Sequence, residues 1–151
     1  MKDQLTFELK SRKGTNKLPS GITKSERNYI DFIVSGKSLG EILGAENYDL
    51  IGNFGWTENV EYENEQISEF LKGKEPSLET GRIMFYVCAE CGDISCGALT
   101  GKISETEKEI IWSEFAYENN YEEYDLTEYK NIGPFIFEKT NYRNKLNELK
   151  K

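Results

Sequence analysis

With 151 residues, of which 37% are apolar and 30% charged, the chain has the length and apolar content for one globular domain spanning 1–151, and too little for two. Its net charge of −8 repels a phosphate backbone, which sets nucleic acid aside as a general partner, and no apolar run reaches the roughly 18 to 20 residues of a membrane span. The complete absence of histidine excludes Ser-His-Asp and Cys-His nucleophile systems, HExxH metallohydrolases and the histidine-containing zinc sites, leaving carboxylates, Lys and Cys for any chemistry.

The opening, MKDQLTFELK, lacks the apolar segment of a signal peptide, so the expected compartment is the cytoplasm, where thiols stay reduced. Leu5, Phe7 and Leu9 alternate with polar residues and predict a half-buried strand. A basic loop from Ser11 to Lys24, carrying Gly14, Pro19 and Gly21, follows. Residues 1–30 hold seven basic groups against three acids, but the run has no interleaved aromatics and reads as an exposed loop rather than an RNA-binding arm. Ile30, Phe32 and Val34 recur at period two, a second strand, and Ser38 with Glu41 at capping-box spacing opens a short helix that Gly44 ends.

DLIGNFGW, bounded by Gly52 and Gly55, is expected to be a short strand or loop with Phe54 and Trp56 as apolar anchors. A helix from about Glu65 to Lys72 is expected next, with Asn64 as its N-cap and Ile67, Phe70 and Leu71 on one face. RIMFYVC is apolar at both parities, as a strand covered on both faces must be. With CGALTGKI and EIIWSEFAY it predicts a three-stranded antiparallel meander over 82–117, in which Gly97 and Gly101 mark bulges or close packing. IGPFIFE adds a short strand, and Tyr142, Leu146 and Leu149 form one stripe of a terminal helix with Thr140 as its cap. The fold class is therefore α+β: a mainly antiparallel sheet of about five or six strands with two or three helices packed on it.

Two constellations stand out. Cys88, Cys91 and Cys96 are all the cysteines of the chain, and the hairpin setting brings them together. As zinc ligands they need a fourth donor, for which Glu90, Asp93, a water or another subunit are the candidates. As a CxxC redox pair they would want a helix N-terminus, whereas this motif leaves a strand and enters a Gly-Asp turn. As reduced thiols they would simply pack at the hairpin base.

The second constellation is EFAYENNYEEYDLTEY, residues 114–129, which interleaves tyrosines with carboxylates and contains no basic residue. Glu114, Tyr117, Glu118, Tyr121, Glu122, Glu123, Tyr124 and Asp125 are its candidate partner-binding residues. Tyrosine offers rigid contact area, and the carboxylates steer and pair with Lys and Arg of a basic protein. Glu122 and Glu123 point to opposite sides of a strand and do not converge on a helix, so a catalytic carboxylate pair is not expected here.

The block YVCAECGDISCGALTGKI, with IIWSEFAYENNY, YKNIGPFIFEKTNYRNKL and the preceding GKSLGEILGAENYDLIGNFGW, resembles a family of small, mostly uncharacterised bacterial proteins. These share a C-x-E-C-G-D-x-x-C-G core and an I-G-P-F-x-F tail, and often have proline where Ala89 stands. Some carry an oxidoreductase label, yet this chain has no GxGxxG after a strand. In size and charge the chain is also similar to immunity proteins of secreted bacterial toxin systems. The leading expectation is a non-catalytic acidic binding protein of that immunity type, needing no cofactor, that neutralises a basic toxin domain. The alternative is a small zinc or redox protein built on Cys88, Cys91 and Cys96.

Overall fold

The computed structural model describes residues 2–14 and 25–151; most of the basic loop expected between the first two strands lies outside them. Among the described residues eight strands and three α-helices form an α+β fold with two antiparallel sheets. The smaller sheet comprises β1 (Leu5–Arg12), β2 (Arg27–Val34) and β3 (Lys37–Ser38) in that order. In its register Leu5 faces Val34, Phe7 faces Phe32 and Leu9 faces Ile30, so the alternating apolar residues of both strands share one face. That face leaves the core as the hairpin lengthens: Leu5 is buried, Phe7 half-buried, and Leu9 is 72% exposed.

Helix α1 (Leu39–Leu43) begins and ends as the capping residues predict. The Ser38 hydroxyl accepts from the Glu41 amide at 3.1 Å, and Gly44 closes the helix in the left-handed conformation. The chain then enters the five-stranded sheet, ordered β4 (Leu50–Gly52), β5 (Ile83–Cys88), β6 (Ala98–Glu105), β7 (Glu109–Glu118) and β8 (Phe135–Glu138). An isolated bridge between Ile30 and Phe54 ties the two sheets together. It requires glycine beside it, because a Cβ on Gly52 would overlap the Ile30 carbonyl oxygen.

The meander β5–β6–β7 runs as the apolar patterning predicts, with the first five residues of β5 buried. The ladder between β6 and β7 shifts register around Gly101, and a Cβ there would press into the rings of Phe115 and Phe85.

Helix α2 (Val60–Phe70) starts five residues before its expected position and is capped by Asn59, whose side chain accepts from the Tyr62 amide at 3.0 Å. The difference has a physical reason: Glu63, Gln66 and Glu69 are buried on this helix, so its inward face is partly polar and interrupts the apolar periodicity. Helix α3 (Lys139–Leu149) buries Tyr142 and Leu146 as expected, while its cap is Glu138 rather than Thr140.

One cluster of buried residues runs through both sheets and all three helices. Phe32 lies at its centre, stacked on Phe70 at 5.4 Å and in edge contact with Phe54, Phe85, Tyr86 and Trp112. No helix among the described residues is long and apolar enough to cross a membrane.

Candidate metal centre

The connection from β5 to β6 carries the three cysteines. Cys88 is the last residue of β5, Cys91 sits in the following turn, and Cys96 ends a single 3-10 turn, Ile94–Cys96, just before β6. The Gly92 amide donates to the Cys88 carbonyl at 2.9 Å and folds the turn back on itself. Gly92 has a φ of +68°, and a side chain at that position would run into the indole of Trp56. Asp93 then caps the 3-10 turn, its Oδ1 accepting from the Ser95 amide at 2.9 Å.

These turns bring all three Sγ atoms within 4.8 Å of one another. Cys91 and Cys96 are 3.1 Å apart, and all three are free thiols. A tetrahedral ion with Zn–S bonds of about 2.3 Å separates its sulfurs by about 3.8 Å, so small side-chain rotations convert the cluster into a coordination set. The three cysteines can thus bind a metal ion.

The electrostatics divide the thiols. Burial raises the Cys88 pKa, but the backbone amides of Glu90 and Cys91 and the thiols of Cys91 and Cys96 donate to its sulfur, and the net shift is downward. Burial, together with hydrogen bonding to Cys96, pushes Cys91 up to about 12. Cys88 therefore gives up its proton more readily than Cys91, whose proton a cation would have to displace.

The turn is gripped from the other sheet. Arg12 donates to Glu90 at 3.2 Å and forms a two-bonded pair with Asp49. The Ser25 amide reaches Glu90 at 2.8 Å, and Arg27 donates to the Ala89 carbonyl at 2.9 Å. The Ser25 amide and Arg12 hold the Glu90 carboxyl below its ordinary pKa. Both carboxylates expected as fourth-ligand candidates, Glu90 and Asp93, are thus directed at other partners.

The acidic tyrosine tract divides into inner and outer residues. Glu118 is turned inward and only 4% exposed. It pairs with buried Arg82 at 3.2 Å and accepts from Thr80 and Thr100, both at 2.9 Å. This position was expected on a partner surface; its place at the end of β7, facing the Arg82 of β5's entry, makes it a structural counter-ion instead. Tyr117 is half-buried and stacks on Tyr48 at 4.6 Å, and Tyr124 lies against the Arg82 guanidinium, 4.4 Å from ring centre to carbon.

Glu114, Tyr121, Glu122, Glu123 and Asp125 are exposed, Tyr121 to 75%. Residues 118–127 face the segment 77–80 across an open groove, and Ile94 of the cysteine turn forms part of its wall.

A further polar centre had only one trace in the sequence, an aspartate inside the apolar strand YIDFIV. Asp31 is 1% exposed, pairs with Lys10 at 2.7 Å and accepts from Ser38 and Tyr86. Burial drives the Tyr86 hydroxyl well above its ordinary pKa, so it remains a donor to Asp31.

Comparison of the chain with protein-family models, with curated proteins and with solved structures finds no match. The reading of function therefore starts from the site itself.

Proposed function

We propose that the protein is a zinc protein in which Cys88, Cys91 and Cys96 hold the ion. The observation that carries this reading is the convergence of three sulfurs within 4.8 Å on one turn whose backbone amides already point at Cys88. Amide donors to a ligating sulfur stabilise its thiolate and orient it, as an outer shell does in a built metal site. The redox alternative is less well supported, because neither Cys88 nor Cys91 begins a helix. Bound zinc would lock the β5–β6 connection and, through Ala89 and Glu90, fasten it to the β1–β2 hairpin.

Native mass spectrometry of freshly reduced protein tests the proposal. It expects one zinc per chain, lost in Cys96→Ser; metal-free protein in the presence of zinc would refute it.

A second reading has its own observation. Exposed Tyr121 with Glu122, Glu123 and Asp125 lines a groove in a segment, 114–128, that contains no Lys or Arg. An acidic groove with an exposed tyrosine suits a basic protein partner, and on this second reading the protein is of the immunity type and the partner a toxin domain that it neutralises. Copurification with a basic neighbouring gene product, lost on charge reversal at Glu122 and Glu123, would support it. Glu118 should be left out of that variant because its carboxylate is inside the fold.

A further inference from the structure

We infer that the cysteine centre is a redox switch: hydrogen peroxide closes a disulfide between Cys91 and Cys96, and the bound metal leaves. The inference rests on the metal-binding reading above and extends it to how the site is controlled.

Geometry selects the pair. The Cys91 and Cys96 sulfurs are already in contact at 3.1 Å, and a disulfide bond of about 2.05 Å asks them to approach by only about 1 Å. Both residues are exposed, so a small oxidant reaches either sulfur without any strand moving. Cys88 is the half-buried member, and its sulfur is held by the backbone amides of Glu90 and Cys91. The exposed pair is therefore the one that closes.

The fold accommodates the bridge. It would join the turn residue Cys91 to the end of the 3-10 turn, in a ring over 91–96 that contains Gly92 and the Asp93 cap. The contacts that fasten the segment to the smaller sheet, Arg12 to Glu90 and Arg27 to the Ala89 carbonyl, lie before Cys91 and outside that ring. Oxidation accordingly changes the metal site and leaves its anchorage to the β1–β2 hairpin in place.

The step balances with peroxide as the only oxidant. One exposed thiolate attacks a peroxide oxygen; the O–O bond breaks, the sulfur becomes a sulfenic acid, and the departing hydroxide takes a proton and leaves as water. The second thiolate then attacks the sulfenic sulfur, forming the S–S bond and expelling a second hydroxide, which also leaves as water. Each sulfur gives up one electron, and the O–O bond takes both. A bridged pair no longer offers thiolates, and Cys88 alone cannot hold an ion that three sulfurs held, so metal and disulfide exclude each other. No helix N-terminus is needed, because the protein is itself oxidised and does not catalyse exchange.

The reduced, zinc-loaded full chain is treated with hydrogen peroxide beside a sample without it. Released zinc is followed with a chromogenic chelator, and the protein by intact mass and peptide mapping. The expected result is one zinc released for each disulfide formed, a mass lower by two hydrogens, a cross-link mapped to Cys91 and Cys96 with Cys88 still open to alkylation, and zinc binding restored by dithiothreitol. Cys88→Ser keeps both bridging sulfurs and should close the same bridge; its failure to do so would overturn the pair assigned here. Zinc bound and then retained after peroxide would overturn the switch and leave the metal centre standing. Zinc lost through oxygen addition to the sulfurs, or through a bridge that includes Cys88 or joins two chains, would overturn the switch in the same way. A chain that takes up no zinc before peroxide is added would refute the metal centre and the switch with it.

Discussion

Glu118 shows how much a single carboxylate's role depends on what faces it. Its ion pair with Arg82 is buried on both sides, and the two threonine hydroxyls satisfy further lone pairs. Breaking such a pair by removing one partner strands the other charge, which costs about 3–5 kcal/mol. Glu118→Ala is accordingly expected to lower unfolding stability by about that amount in urea titration, whereas Glu122→Ala, on the surface, should stay within about 0.5 kcal/mol of the parent. Equal effects for the two variants would show that Glu118 is not the counter-ion described. Gly92 offers a second residue-scale expectation. Its left-handed φ alone costs a substituted residue about 1–2 kcal/mol, and the indole of Trp56 occupies the space a methyl group needs. Gly92→Ala should destabilise the fold and also weaken zinc binding, because the turn it distorts sets Cys88 and Cys91; retention of full affinity would separate the turn from the site.

Helix α2 is the element in which polar burial matters most. Burial raises the Glu69 pKa, against the lowering effects of the Ser77 amide and hydroxyl, Lys74 and Gln66. The folded state therefore holds the Glu69 proton more tightly than the unfolded chain does. The stabilisation this brings is fully present below the unfolded carboxyl pKa and is lost as pH rises through the raised folded value. Glu69→Gln should remove that dependence, so the stability of the variant relative to the parent should grow as pH rises from acid to neutral. Parallel denaturation midpoints across the same range would contradict it. The same burial explains what sequence patterning could and could not reveal. Strand β5 is legible because apolar residues at both parities have one plausible meaning, a central strand. The start of α2 is not legible, because Glu63, Gln66 and Glu69 occupy positions where periodicity expects apolar side chains. Local caps such as Ser38 and Gly44 are visible in four or five residues of sequence, while the Ile30–Phe54 bridge that sets one sheet against the other is not.

Across the whole molecule the cysteine turn is a junction rather than an appendage. It leaves β5, an interior strand of the larger sheet, and it is held by Arg12 and Arg27 of the smaller sheet and by Ser25 just before β2, with Trp56 beneath Gly92. The three cysteines were legible from spacing alone. The fate of Glu90 was not, since its partners Ser25 and Arg12 come from 65 and 78 residues away. A metal bound at such a junction stabilises only the folded state, in which the three sulfurs converge, so its binding free energy adds to the stability of the whole fold. At a free zinc concentration one hundred times the dissociation constant this amounts to about 2.7 kcal/mol, or roughly 5–10 °C in Tm for a chain of this size. Chelation should lower Tm by that amount in the parent and leave Cys96→Ser unmoved. The zinc affinity should also fall as pH drops, because the Cys91 thiol, held up at about 12, must release its proton to coordinate. An affinity independent of pH, or an equal response to chelator in Cys96→Ser, would place the bound metal somewhere other than these three sulfurs.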